Sequence, residues 1–334
     1  MSTKLNIKVV ADRANVAAST VSRVINNSGY VSKKTREKVM AVVKELGYRQ
    51  NKLASTLRNK SSSFIGLIVP DISNEFYSIL AKTIEDVLSE EQFSLFLCNT
   101  EGNEKKERLH IETLLDNQVS GIILITSPGF ESNQYLLDSG IPLILFDRPD
   151  HTMKSNNVIC IESDNFHGAK LAGDILIQGG ATKILCLRGY RPVYSMVHRR
   201  DGFLFSMKEH GIPAENYRVH DIVLRPEAAL KNVGEMYRKF PFDGLFCCND
   251  SLAIGAMTGL LRRELRIPED VQVIGFDGIA LGRYVNPSLS TISQDIETMG
   301  RIAGQKILKM IANPSSPTED IVLPTKFIKR RSTR

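Results

Sequence analysis

From Phe64 onward, short apolar runs alternate with amphipathic helical segments, and this alternation restricts the possible folds more than any other feature. The runs are FIGLIV, FSLFLC, GIILI, PLILF, VICI, KILCL, GLFCC and VQVIGF. Helical patterns such as 78–89 and 104–117 separate several of them. Near-continuous apolar strands that alternate with helices are typical of parallel sheets covered on both faces. About 270 residues with this many strands predict an α/β domain of two doubly wound lobes.

The segment before Phe64 has a different pattern, which indicates short helices only. Apolar residues recur at spacings of three and four over 7–14 and again over 18–25, with a tight break at 15–17. Ser32 is suited to cap a longer third helix, and Gly47 is suited to end it. Two short helices, a tight turn and a supporting helix predict an all-α helix-turn-helix unit.

Charge is distributed unevenly between these two parts of the chain. Residues 1–62 carry a net charge of +10, whereas the whole chain carries +6, so that residues 63–334 sum to −4. A small basic module joined to a mildly acidic body suggests nucleic-acid binding. Basic faces are also common as solvated surface, so the charge leaves both interpretations open.

Composition restricts the compartment and the chemistry. No run of about eighteen apolar residues occurs, and 1–10 lacks the apolar region of a signal peptide, so we expect a cytoplasmic protein without membrane contact. The cysteines do not have zinc-ligand spacing, and we expect buried, reduced thiols, no metal and no cofactor. The five cysteines are Cys98, Cys160, Cys186, Cys247 and Cys248.

The second helix of a helix-turn-helix unit enters the major groove, where its early residues face base edges. Arginine can bind guanine in a fork, serine can bond to several bases, and an alanine methyl can meet thymine. The candidates for base contacts are Arg23, Ser19 and Ala18. The candidates for phosphate contacts are Thr20, Ser22, Asn26 and the backbone amides near Asn6 and Ile7. Tyr30, in the loop that follows, is a further candidate for DNA contact.

Within the first sixty residues, TVSRV, VSKKTREKV and ELGY followed by N-x-x-A-x-x-L occur in this order. Together they resemble the lactose/galactose repressor family of bacterial regulators, and the resemblance continues to the end of the chain. It departs at Ala17, where the family usually has a capping residue that alanine cannot replace.

The resemblance implies a hinge helix that folds when two copies of the chain meet in the minor groove of double-stranded operator DNA. Leu57 would then be the wedge that unstacks the central base step, with Ala54 allowing close approach and Arg58 beside the wedge. The expected assembly is a homodimer. No leucine heptad follows the last strand, so no tetramerising C-terminal coil is expected.

The resemblance also sets the expected domain boundaries. The headpiece spans 1–49, the hinge helix and linker span 50–62, and the effector-binding and dimerisation domain spans 63–334. This last domain is expected to resemble periplasmic sugar-binding proteins. Its first lobe covers about 63–162 and 293–323, and its second lobe covers about 163–292 and 324–334.

Polar and aromatic side chains follow several strands, where parallel sheets place their ligands. Each is ambiguous by itself, because Phe76 and Tyr77 also suit a core and Asp147 with Arg148 also suits a surface pair. Together they resemble the pattern of ribose-binding proteins and related repressors, whereas Leu224 is not the stacking aromatic that a purine would use. The effector-site candidates are Asn74, Phe76, Tyr77, Asp147, Arg148, Arg199, Asn249, Asp277 and Gln294.

The predicted function is repression of a sugar-utilisation operon, with DNA binding controlled by a ribose-like or fructose-containing sugar between the lobes. One alternative is a global carbon-catabolite regulator that needs a phosphocarrier partner, and another is a transport-type sugar-binding protein. An enzyme is not expected, because no G-x-S-x-G, H-E-x-x-H, P-loop or G-x-G-x-x-G motif occurs and the six histidines are dispersed.

Overall fold

The computed structural model describes residues 6–25, 28–48, 62–125, 134–147, 155–191 and 193–334. Contacts divide the chain into two units, 1–62 and 63–334, which are described separately below.

The first unit contains three helices: α1 (Ile7–Ala14), α2 (Ala18–Ile25) and α3 (Lys33–Leu46). Small apolar side chains from all three helices form its core, and they are Val10, Ala11, Ala14, Val21, Val24, Val39 and Val42. The Ser32 hydroxyl accepts a hydrogen bond from the Thr35 amide, and Gly47 ends α3 at φ +59°. These caps and helix bounds agree with the helix-turn-helix prediction.

The second unit contains two α/β lobes. The elements up to the first crossing between them are β1 (Phe64–Val69), α4 (Glu75–Glu90), β2 (Ser94–Asn99), α5 (Glu104–Asp116), β3 (Gly121–Leu124), α6 (Gln134–Asp138), β4 (Leu143–Phe146) and β5 (Val158–Ser163). The remaining elements are α7 (Asn165–Gln178), β6 (Ile184–Gly189), α8 (Tyr194–Glu209), a 3₁₀ helix (Ala214–Asn216), β7 (Tyr217–Ile222), α9 (Pro226–Lys239), β8 (Gly244–Cys247), α10 (Asp250–Leu261), β9 (Gln272–Asp277), a 3₁₀ helix (Ala280–Arg283), β10 (Ser290–Ser293), α11 (Ile296–Ala312), β11 (Ile321–Leu323) and β12 (Lys326–Ile328).

Each lobe is built on one six-stranded sheet. The strand order is β11-β5-β4-β3-β1-β2 in the first lobe and β12-β10-β9-β8-β6-β7 in the second. All pairings among these strands are parallel except β10 with β12. The chain passes between the lobes after β5, after β10 and after β11. The two parallel sheets predicted from the alternating pattern are therefore present.

Helices cover both faces of both sheets, which explains why the central strands are apolar on both sides. In the first lobe, α4 and α11 pack on one face, and α5 and α6 pack on the other. In the second lobe, α7 and α8 pack on one face, and α9 and α10 pack on the other. The cleft between the lobes lies at the carboxyl ends of several strands.

Some details differ from the sequence pattern. Helix α4 begins at Glu75 rather than near 78, because Asn74 caps it through a hydrogen bond from the Phe76 amide. Strand β2 is an edge strand, so its side chains are half-buried or exposed although its sequence reads like a central strand. Cys98 lies on this strand and is half-buried, whereas the other cysteines are buried as expected, and all five are free thiols. No helix in the described ranges is long and apolar enough to cross a membrane.

Candidate DNA-binding and ligand-binding sites

Helix α2 presents its polar face outward, as a recognition helix must. Val21 and Val24 point into the core of the first unit, while Ser19 and Arg23, one turn apart, are exposed. The structure leaves Ala18, Thr20 and Ser22 half-buried beside them. Tyr30, in the loop before α3, is 92% exposed. These side chains therefore stand where DNA could reach them.

The start of α1 also lies on the surface of the first unit. The Asn6 side chain accepts hydrogen bonds from the Lys8 and Val9 amides, so Asn6 acts as the N-cap of this helix. Both Asn6 and the half-buried Ile7 lie on the surface, near the helix end that favours anions.

Helix α2 begins without a side-chain cap. Ala17 occupies the position before it, and its carbonyl accepts from the Thr20 and Val21 amides. An alanine side chain has no acceptor and cannot cap the helix. Packing of Val21 and Val24 therefore contributes a larger share of the stability of this short helix than it would in a capped one.

Five candidates lie outside the described residues, and their assignments stay predictions. They are Asn26, Ala54, Leu57, Arg58 and Arg148.

The described candidates of the effector site come together in one cleft between the two lobes. The first lobe contributes Asn74, Phe76, Tyr77 and Asp147, and the second lobe and the crossing strand contribute Arg199, Asn249, Asp277 and Gln294. Phe76 and Tyr77 belong to the first lobe's core and also line the cleft, with their rings edge to face at 5.0 Å. Both interpretations of these two aromatic residues therefore hold.

Arg199 is the centre of the cleft and is only 2% exposed. Its Nε donates to Asn165 Oδ1 at 2.7 Å, and its Nη1 donates to the Cys248 carbonyl at 2.6 Å and to Asp277 Oδ1 at 3.2 Å. The guanidinium also stacks on Phe276, 3.8 Å from the ring centroid. A buried arginine held on several sides presents its remaining donor group in a fixed direction.

Two aspartates from opposite lobes flank this guanidinium. Asp147, at φ +59° after β4, lies with Oδ1 3.9 Å from Arg199 Nη2 and accepts from the Ser195 hydroxyl at 3.4 Å. Asp277 ends β9 and accepts from Gln294 Nε2 at 2.6 Å. Burial raises the pKa of Asp277 well above its usual range, and the charge of Arg199 opposes that rise.

A third buried aspartate, Asp250, supports the loop that follows Asp277. Asp250 accepts from the Gly278 and Ile279 amides and from the Thr291 hydroxyl. Burial raises the pKa of Asp250 to about 7, and these hydrogen bonds act in the opposite direction. Asp250 thus holds the Asp277 loop from behind without lining the cleft.

Sequence reasoning missed several residues that complete the site. Ser195 and Met196 line the cleft from the start of α8, and Asn165 and Phe276 position Arg199. Ser195 and Arg199 are four residues apart, so their helical spacing could have associated them. The contacts of Asn165 and Phe276 depend on tertiary packing and leave no local pattern.

One cluster elsewhere has the residue types of a metal site: Asp174, Glu209 and His210. The Lys170 ammonium lies 2.9 Å from an Asp174 oxygen and 2.5 Å from a Glu209 oxygen, and His210 and Ser206 also contact Asp174. The arrangement is a surface ion-pair network that already contains its cation.

These features define a regulator with a DNA-reading headpiece and a two-lobed ligand-binding body. Residues 6–51 match the family model for bacterial regulatory proteins of the lacI family, and residues 174–333 match the model for a periplasmic binding protein-like domain. The ribose operon repressor of Halalkalibacterium halodurans is 36% identical over 335 residues, which cover 98% of this chain and 97% of that protein.

The chain therefore belongs to the lacI family of bacterial regulatory proteins, which bind DNA to control transcription and are not enzymes. Solved structures agree with this assignment. A LacI family transcriptional regulator from Enterococcus faecium with bound ribose has a TM-score of 0.74 and 30% identity, covering 81% of this chain and 98% of that one. The lac repressor dimer bound to operator and the anti-inducer ONPF has a TM-score of 0.85 and 25% identity, covering 99% of both chains.

Proposed function

We propose that this protein represses a sugar-utilisation operon and that a ribose-like or fructose-containing sugar in the cleft controls its operator binding. The arrangement around Arg199 carries the proposal. Buried carboxylates from both lobes converge on one guanidinium beside aromatic side chains. Such planar, bidentate groups suit the vicinal hydroxyls of a sugar, and aromatic side chains suit its C–H patches.

Gln294 adds a specific point of recognition. Its Oε1 is buried and has no hydrogen-bond partner within the described ranges, whereas its Nε2 donates a hydrogen bond to Asp277 Oδ1. A buried acceptor without a donor costs free energy, and a sugar hydroxyl would supply that donor. The ribose bound by the regulator from E. faecium is consistent with this chemistry.

The regulatory step we propose is closure of the cleft around the sugar. A ligand that touches both lobes binds the closed arrangement better than the open one, and only this difference in affinity can shift the equilibrium. Closure of the lobes would change the arrangement of the dimer and thereby lower its affinity for operator DNA.

Exposed apolar side chains support a homodimer. Phe96 and Leu97 on the edge strand β2 are 40% and 44% exposed, and Leu281 and Tyr284 in the second lobe are 49% and 81% exposed. An exposed apolar edge strand is a template for pairing with another chain. Leu97→Asp should lower the dimer fraction in sedimentation velocity, and an unchanged fraction would argue against this face.

DNA recognition is tested by selecting bound sequences from a random duplex library. The wild-type protein should enrich a two-fold symmetric sequence, as a dimer of helix-turn-helix units requires. Arg23→Ala should lower affinity for that sequence by about 1–3 kcal/mol while largely preserving non-specific binding. Equal losses on selected and scrambled duplexes would refute base recognition by Arg23.

The effector is tested with a thermal-shift screen of pentoses and hexoses, followed by gel shifts on the selected duplex. A bound sugar raises the melting temperature by mass action. Asp147→Ala should abolish the shift, whereas Asp86→Ala, on the exposed face of α4, should retain it. If no sugar changes melting or operator binding, the proposed control by sugar is wrong.

A further inference from the structure

Glu75 makes a contact that crosses the cleft without lining it. It is the first residue of α4 in the first lobe, directly between the cleft residues Asn74 and Phe76. Its Oε1 accepts from the Ala280 amide at 3.2 Å, and its Oε2 accepts from the Leu281 amide at 3.1 Å. Both amides belong to the second lobe, in the 3₁₀ helix after Asp277.

The segment that directly precedes the two amides bound by Glu75 is held in place within the second lobe. Asp250 fixes the preceding Gly278 and Ile279 amides at 2.8 and 2.9 Å. The Ile279 side chain is 1% exposed and packs in the hydrophobic cluster of the first lobe. The carboxylate of Glu75 therefore meets two fixed donors next to an apolar contact between the same two lobes.

We propose that Glu75 is a positioning residue that stabilises the closed cleft and thereby sets the affinity for the effector. Opening would transfer its carboxylate and both amides to water, and closing restores two charge-assisted hydrogen bonds. The inference rests on the proposed function, because closure matters to regulation only if a ligand binds between the lobes.

Other contacts also join the lobes. The Ser195 hydroxyl donates to Asp147 inside the cleft. A further bridge lies at another position. Arg191 Nη1, after β6, donates to the Gly102 carbonyl, which follows β2. This bridge uses an exposed side chain. The Glu75 contact is adjacent to both cleft walls but includes no residue that lines the cleft, and it is the one we assign to effector affinity.

The size of the effect follows from the population of closed protein. Removing charge-assisted hydrogen bonds shifts an opening equilibrium by about tenfold or more. This shift divides between two observables: the factor by which the open fraction rises, multiplied by the factor by which the apparent Kd of a ligand rises, equals about ten, although no atom that touches the ligand has changed.

Hydrogen exchange of the full-length protein without ligand tests the contact directly. In Glu75→Ala, the peptide containing the Ala280 and Leu281 amides should exchange faster than in wild type, by up to about tenfold if the free protein is mostly closed. Glu75→Gln, which keeps an acceptor but loses the charge, should lie between them. Glu90→Ala, at the exposed far end of α4, is the matched control and should leave this peptide unchanged.

Calorimetric titration with D-ribose tests the consequence. Glu75→Ala should raise Kd at unchanged stoichiometry, by up to about tenfold if the free protein is mostly open, with Glu75→Gln partly restoring the affinity. If the two factors multiply to well below about ten, the role of Glu75 in effector affinity is wrong. If both exchange and Kd are unchanged, the Glu75 contact does not hold the lobes together at all.

The two proposals fail in different ways. If wild type binds no sugar, the proposed effector is wrong, while exchange still judges whether Glu75 holds the lobes together. If Glu75→Ala loses its circular dichroism spectrum, Glu75→Gln decides by the same two measurements.

Discussion

Replacing Arg199 should affect stability as well as ligand binding, because this side chain neutralises and hydrogen-bonds a buried region. Arg199→Met removes donors to Asn165, the Cys248 carbonyl and Asp277, all at 3.2 Å or less. It retains an apolar side chain against Phe276. Breaking a buried ion pair from one side typically costs about 3–5 kcal/mol. We expect the unfolding free energy to fall by this amount at pH 8, where Asp277 is less protonated than at acidic pH.

The pH dependence of this loss distinguishes the electrostatic cause from simple loss of packing. Arg199 opposes the rise in the pKa of Asp277 caused by burial, so in Arg199→Met this pKa should rise further. When the pH is lowered, the Asp277 carboxyl of the variant becomes protonated, and the unpaired buried charge disappears. The destabilisation by Arg199→Met should therefore be smaller at pH 5 than at pH 8.

Urea denaturation followed by circular dichroism measures these differences. The matched control is Arg200→Met, which removes the neighbouring, more exposed arginine that pairs with Asp201 and should cost about 1 kcal/mol or less. The double variant Arg199→Met/Asp277→Asn should be more stable than the sum of its single changes predicts. A loss below about 1 kcal/mol at pH 8, or no pH dependence, would refute the reasoning.

Three further outcomes are expected. Ala17→Ser places an acceptor before α2 and should stabilise it by about 1 kcal/mol, detected as slower hydrogen exchange of its amides, with Ala17→Val as the control that adds no acceptor. Burial raises the pKa of Asp250 to about 7, so its protonated form stabilises the fold at acidic pH, and this contribution is lost as pH rises from about 4 to about 7. Asp250→Asn should flatten this fall in unfolding free energy, which has a limit of about 1.4 kcal/mol per pH unit, whereas an unchanged slope would contradict the burial argument. Gly202→Ala should destabilise the protein by about 1–3 kcal/mol in thermal melts, because a Cβ there would collide with the Phe166 carbonyl where α7 and α8 pack closely, and a melting temperature equal to wild type would contradict this packing.

Local patterns predicted the secondary structure well where their physical causes are local. The helices of the first unit follow from apolar spacing, with Ser32 and Gly47 marking the ends of α3. The α/β class follows from apolar runs, since parallel strands covered on both faces need apolar side chains in both directions. The same pattern predicted β2 as a strand but not its position at the sheet edge, because that position is decided by strand order rather than by its own residues.

The cleft was predicted in part for the same reason. Asp147, Asn249 and Asp277 stand just after or at the ends of their strands, where doubly wound sheets bind ligands, so position along the chain was sufficient to choose them. The partners that orient Arg199 come from α7 and β9, which have no fixed sequence distance from α8.

The amino-acid sequence by itself determined the helix-turn-helix headpiece, the two-sheet body and the family, because each depends on short-range periodicity or on motifs. Only the tertiary structure decided which polar groups become buried together. Burial raises the pKa of Asp250 and Asp277. Packing of the elements surrounds Arg199 with acceptors and brings Glu75 to two backbone amides of the other lobe. These effects depend on distance and on exclusion of water, which are properties of the packed lobes and not of any segment of the chain.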